Sequence, residues 1–240
     1  MQDIFVNIVS DVIWAILGGI LFYLFKNLFQ IVPLRRLWRI RDHQNFTICV
    51  STSSLVDTGQ YERPSTGIGQ LRGLAIITSS LSKAYSINAR NVLLSADQLK
   101  EHIEGDLILL GGPENNRITR SFLDKINEMS LIDQAENVIY WKCSSDPEVF
   151  KPVVLNNKVI KDYGMVIRMY NPFSQSKNTL YLLAGTHTYG TIAAARFLTE
   201  NMYSEYLWWK KVSNNFVAVI SCEIMDGWPV SIHRERFHSF

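Results

Sequence analysis

An excess of charge of either sign is what this sequence most conspicuously lacks. Its 24 Lys and Arg against 22 Asp and Glu leave +2 at pH 7, so no global basic field points to a nucleic-acid polymer as partner. Cysteine is scarce as well. Cys49, Cys143 and Cys222 stand far apart, each in an apolar run, and no C-x-x-C or Cys/His spacing marks a zinc site. They are expected to be buried free thiols in a reducing compartment. Ser51, Ser53 and Ser54 have no G-x-S-x-G elbow around them, and no paired His, Asp and Glu spacing forms a metal site, so the metal expectation is none. Internal repeats are absent. A composition 47% hydrophobic and 19% charged excludes a disordered or low-complexity chain.

What the chain does have is a long apolar start. Ile4 to Val32 is mostly apolar, and Val12 to Phe25 carries no charge. About 20 residues of helix cross a ~30 Å hydrocarbon core, a length reached if Lys26 snorkels to one interface and Asp11 lies near the other. Trp14 and Tyr23 suit the interfaces. Arg35, Arg36, Arg39 and Arg41 follow at once, which by the positive-inside rule puts the C-terminal bulk in the cytoplasm and the N-terminus outside. Met1-Gln2-Asp3 offers no basic n-region and no small-x-small site follows, so a retained signal anchor is expected. Asp3, Asn7 and Asp11 share one helix face, which Ala15 and Gly18 continue. Carboxylates near hydrocarbon seek protein or water, and small residues let helices approach. This stripe reads either as a helix–helix contact in a homo-oligomer, lining a pore in one version, or as Asp3, Asn7 and Asp11 merely sitting in the outer headgroup zone.

Residues 1–32 are thus read as a transmembrane anchor ended by Pro33, 33–44 as a basic juxtamembrane connector, and 45–240 as one cytoplasmic α/β domain. Strands are expected at 46–50, 92–94, 106–110 and 138–141, alternating with helices at 68–85, from Ser95 or Asp97 to Ile103, and at 116–129. Strands apolar on both faces and alternating with helices make a parallel sheet covered on both sides. The expected fold is therefore α/β, a Rossmann-like parallel or mixed sheet with helices on both faces. A hairpin turning at Asn156-Asn157 follows, then strands at 165–170, 179–184 and 216–224 and a helix at 192–202. The polar stretch 51–66, with Asp57, Gln60, Tyr61, Glu62 and Arg63, reads as a loop long enough to be a lid.

Three glycine-bearing turns precede expected helices: Gly67-Ile68-Gly69, Gly111-Gly112-Pro113-Glu114-Asn115-Asn116, and Gly185-Thr186-His187-Thr188-Tyr189-Gly190-Thr191. Loops leaving the carboxyl ends of parallel strands converge on one edge, where ligands bind. Glycine lets backbone amides approach a phosphate, and a helix N-terminus adds unpaired N–H groups and partial positive charge. No Lys follows the second glycine of the third turn, so it is not a Walker loop. His187 could bond a phosphate or base, Glu114 and Asn115 a ribose, while Arg117 and Arg120 read as solvated helix residues. Cys143 with His187 is the one nucleophile–base pair that suggests itself. The cluster of Tyr203, Tyr206, Trp208 and Trp209 with Lys210 and Lys211 reads as a core edge or oligomer contact.

A membrane helix joined to such a domain resembles the prokaryotic defence effectors whose SLOG- or CARF-type domains sense nucleotide second messengers. The likeness rests on Asp106 through Pro113 and Leu182 through Arg196, and the chain departs from the SLOG pattern in lacking its G-G-x-G-T turn in full. It implies a role in antiviral defence, a cyclic or NAD-derived nucleotide as ligand, and a membrane event as output; beyond that nucleotide-type ligand the sequence marks no certain cofactor. Two alternatives stand beside it. One is a tethered enzyme acting on a nucleotide or sugar-nucleotide through a residue such as Glu114, Asp97 or His187. The other is a membrane scaffold assembled through the α/β domain.

Overall fold

The computed structural model describes residues 2–42, 46–85, 87, 92–94, 103–203 and 213–240, with 2–7, 93 and 94 described by their backbone. The side chains of Asp3 and Asn7 in the expected stripe therefore lie outside the description. So do Ser95 and Asp97, and Tyr206, Trp208, Trp209, Lys210 and Lys211.

The chain opens with α1 (Gln2–Lys26), a π-helical turn (Asn27–Ile31) and α2 (Val32–Trp38). Ile8–Trp38 forms a helical run of 31 residues, long and apolar enough to cross a membrane, and none of its apolar window is buried. Asp11 lies exposed on it, and a Cβ added at Gly18 or Gly19 would meet nothing within 4 Å. Pro33 does not end the helix. It sits at the start of α2, just past the π turn, and the Phe29 carbonyl four residues before it, left without a proline N–H to accept, takes the Tyr203 hydroxyl instead. Nor is 33–42 a mere connector. Leu37 and Trp38 are fully buried, and Arg168 Nη1 and the Tyr181 hydroxyl both donate to the Leu37 carbonyl. Such carbonyls in the last turn of a helix lack intrahelical partners. Asp106 fastens the next residues, its Oδ2 accepting from Arg41 N–H at 2.7 Å and its Oδ1 from Thr179 N–H at 2.6 Å.

The domain runs β1 (Thr47–Val50), β2 (Ser54–Asp57), β3 (Glu62–Ser65), α3 (Ile68–Ala84), β4 (Val92–Leu94), β5 (Leu107–Leu110) and α4 (Arg117–Asn127). Then come β6 (Ile132–Ala135), β7 (Val138–Trp141), β8 (Glu148–Phe150), β9 (Val153–Leu155), β10 (Lys158–Tyr170) and β11 (Thr179–Gly185). α5 (Thr188–Arg196), a second π-helical segment (Phe197–Met202), β12 (Phe216–Met225) and β13 (Trp228–Ser239) complete it. The main sheet is mixed, in the order β13-β12-β10-β11-β5-β1-β4, with β9 paired to β10. β4, β1, β5 and β11 are mutually parallel, whereas β10, β12 and β13 join antiparallel. One face carries α2, α3 and α5 through Trp38, Ile77, Leu81, Ala193 and Leu198. The other carries α4 and the β6–β8 sheet through Phe122, Ile126, Ile132 and Trp141.

Several expectations are corrected here. The strand at 138–141 is not part of the parallel sheet; it is the centre of the antiparallel β6-β7-β8 sheet. Its burial alternates along the strand, as a sheet solvated on one face requires. The stretch 51–66 contains an exposed β2–β3 hairpin. The helix expected to begin at Ile192 begins at Thr188, so the third glycine turn supplies its first turn. The tail beyond 225 is a strand paired to β12 across Asp226 and Gly227, both at positive φ.

Candidate functional site

β1, β5 and β11 lie side by side and parallel, so the segments leaving their carboxyl ends meet at one edge. A cleft of about 480 Å³ opens there. Of the three glycine turns it is lined by Gly67, Gly69, Gly112, Glu114, Asn115, Gly185, Thr186, His187, Thr188, Tyr189 and Thr191. The turns spaced along the chain are thus brought together, while Gly111 and Gly190 stand behind the wall. Ser53, Ile68, Gln70, Gln134, Asn137 and Val159 complete the lining. Arg117 and Arg120 do not reach it, nor does Cys143, so the imagined Cys143–His187 pair does not form. The Cys143 thiol instead donates to the Leu131 carbonyl at 3.1 Å, and burial pushes it up to about 11. Among the described residues no cluster of His, Cys, Asp and Glu could hold a metal ion.

The glycines divide by what they do. A Cβ at Gly190 would lie 2.0 Å from the Tyr163 carbonyl oxygen, one at Gly185 2.3 Å from Thr191 N, and one at Gly164 2.4 Å from the Gly190 oxygen. These three let the start of α5 lie directly on β10 and β11. Gly69 serves the crossing of α3 over α5, its Cβ position being 2.5 Å from the Thr188 oxygen. Gly111, at φ +100°, turns the chain off β5 against Ser51 and Gln70; only glycine adopts that conformation without strain. Gly67 is less crowded, a Cβ there meeting only side-chain ends, Gln70 Oε1 at 3.1 Å and Ser53 Oγ at 3.4 Å. It caps α3 in an extended conformation, with its N–H donated to Gln70 Oε1 at 2.8 Å, one arm of a capping box.

The start of α5 is not the open anion site that its sequence suggests. Asp162 on β10 is fully buried and already occupies it. Its Oδ2 accepts from Gly190 N–H at 2.6 Å, and its Oδ1 from Tyr163 N–H at 2.9 Å, His187 N–H at 3.2 Å and the Thr186 hydroxyl. The carboxylate is stabilised by the partial positive charge there, as a bound phosphate would be. Sequence reasoning passed over Asp162. Little in the sequence signalled it, because Asp162 stands next to Lys161 between the expected hairpin and the strand at 165–170, where a solvated carboxylate would read the same.

A second residue that reading missed is Gln134 on β6. It is 5% exposed and its Nε2 donates to the Gly185 carbonyl at 2.9 Å. Its Oε1 is buried and has no hydrogen-bond partner among the described residues, an uncommon state for a buried acceptor. Because Gln134 lines the cleft, that oxygen is an acceptor in want of a donor. Comparison of the sequence with protein-family models and with curated proteins finds no match.

Proposed function

We propose that this is a single-pass protein of the inner membrane whose cytoplasmic Rossmann-like domain binds a nucleotide-type ligand and passes that event to its membrane helix. The observation that carries the reading is the cleft. It lies outside the carboxyl ends of β1 and β5, where the order of the parallel strands reverses, the place where open α/β sheets bind ligands. The open Gln134 acceptor adds a polar anchor point there. Arg35, Arg36, Arg39 and Arg41 directly after the apolar run support the cytoplasmic orientation.

The connection to the membrane is supported by the two helices that start at the cleft. α3 spans 17 residues, roughly 25 Å at 1.5 Å per residue. At its far end the Ala84 carbonyl accepts from Arg35 Nε at 3.0 Å, and the Tyr85 hydroxyl donates to the Arg35 carbonyl at 3.3 Å. α5 continues through its π segment to Tyr203, whose hydroxyl donates to the Phe29 carbonyl at 3.1 Å in the π turn of the anchor. Both helices therefore run from ligand cleft to anchor base. Exposed Gly18 is where the α1 of a second copy would approach in a homo-oligomer.

The test is a melting-shift screen of the full chain in lipid nanodiscs against nucleosides, NAD, ADP-ribose, cyclic oligonucleotides and nucleotide sugars. A ligand at a hundred times its dissociation constant adds about 2.7 kcal/mol. The reading expects a shift with a nucleoside-containing compound that is lost in Gln134→Met and reduced in Gly67→Ala, with both variants folded. A well-folded protein that responds to no member of the panel would overturn it.

A further inference from the structure

We infer that the cleft selects a nucleoside-type ligand bearing at most one phosphate, gripped by neutral hydrogen-bonding groups, and that it discriminates against polyphosphates. The inference rests on the nucleotide-site reading and narrows it. Among the described residues no Lys or Arg lines the cleft, and the one formally charged side chain there is the carboxylate of Glu114. Sites for di- and triphosphates neutralise that charge with cations or with free helix N-termini. Here one of the two helix starts is already spent, because Asp162 occupies the start of α5 and brings its own negative charge.

What remains is the start of α3. The Gly67 N–H is taken by Gln70, which leaves the Ile68 and Gly69 amides without a protein acceptor among the described residues. Two amides and one helix dipole suit a single anionic group. Gln134 also lines the cleft, and its buried Oε1, unpartnered among the described residues, would be satisfied by a ligand N–H or O–H. A phosphate oxygen cannot donate at neutral pH, whereas an exocyclic amine, an amide N–H or a ribose hydroxyl can. A buried acceptor left unmet penalises any ligand without that donor.

The experiment is calorimetric titration of the full chain in nanodiscs with adenosine and guanosine and their mono-, di- and triphosphates, at low and high salt. The expected result is binding by a nucleoside or monophosphate, with affinity falling about tenfold for each phosphate beyond the first. Salt is expected to leave the affinity of the nucleoside unchanged. Glu114→Gln, an exposed substitution, should raise the affinity of the diphosphate several-fold relative to that of the nucleoside, and Gln134→Met should abolish nucleoside binding. Affinity that rises with phosphate number, or falls steeply with salt, would overturn the inference while leaving a nucleotide site standing. Binding by no member of either series would overturn the inference, and the nucleotide-site reading falls with it only if the wider melting-shift panel is silent as well.

Discussion

Replacing Asp162 with alanine tests whether the third glycine turn is held by the protein's own carboxylate. Asp162 is fully buried and accepts three backbone N–H groups and the Thr186 hydroxyl. Alanine removes every acceptor and strands the amides of His187 and Gly190 beneath the start of α5. Each stranded amide costs about 1–3 kcal/mol, and bonds to a charged group are at the strong end of the range. The contributions share one carboxylate and do not add in full, which puts the loss at about 3–5 kcal/mol. For a domain of this size each kcal/mol moves the midpoint by about 2–4 °C, so Asp162→Ala is expected to melt about 10 °C lower by circular dichroism in detergent. Asp162→Asn keeps the shape and one acceptor oxygen but turns a donor toward Gly190 N–H, so it should fall between the two. An alanine variant melting within about 2 °C of the parent would refute this account of how the turn is held.

Three further outcomes follow from the same geometry. Gly185→Val and Gly190→Val should fail to give folded protein, since their Cβ positions overlap backbone at 2.3 and 2.0 Å, whereas Gly67→Ala should fold and lose about 1 kcal/mol; expression followed by melting separates them. Trp38→Ala empties a fully buried site and strands Ser80 Oγ, which accepts from the indole N–H at 3.0 Å, so chemical unfolding should show a loss of about 3–5 kcal/mol where a true linker residue would show none. Burial pushes the Cys222 thiol up to about 12, with Asp162 adding to it, and the Cys143 thiol up to about 11. Because the thiolate is the reactive form, aromatic disulfide reagents at neutral pH should label the native protein slowly and the unfolded protein fast. Raised thiols also stabilise the fold below their ordinary value of 9.0 and stop doing so as pH rises from there through about 11, so the melting temperature should fall over that interval.

The parts of the fold legible in the sequence are those where one requirement dominates. β1, β5 and β11 are buried on both faces, so their apolar runs have no competing reading. The convergence of the glycine turns follows from the strands being parallel. The Asn156-Asn157 hairpin was announced by residues that tolerate positive φ, as both prove to have. Less legible were elements whose pattern serves two masters. β7 has the alternation of a one-sided strand, but its partner β6 is half polar, Asp133 and Gln134 lying between Ile132 and Ala135, which hid the small sheet. β13 mixes Arg, His and Glu with scattered apolar residues because most of it is not buried. Its Asp226-Gly227 turn, among the strongest hairpin signals, was present and unused. The buried polar residues were least legible, because the groups that bond Asp162, Gln134 and Arg168 are mostly distant in sequence. Arg168 donates to the carbonyls of Leu37, Ser213 and Asn214, partners that only the tertiary fold supplies.

The most direct test of the central claim is a fluorescence measurement on the full chain in nanodiscs. An environment-sensitive dye at Leu28→Cys would stand beside Phe29, whose carbonyl receives the Tyr203 hydroxyl, and Leu28 is exposed enough to label while the native thiols react slowly. Saturating the cleft with the tightest ligand from the nucleoside series should change the emission. Tyr203→Phe should weaken that change while leaving the affinity intact. Saturable binding at the cleft with no response at Leu28, in a protein whose anchor is embedded, would contradict the claim that the two ends of α3 and α5 communicate.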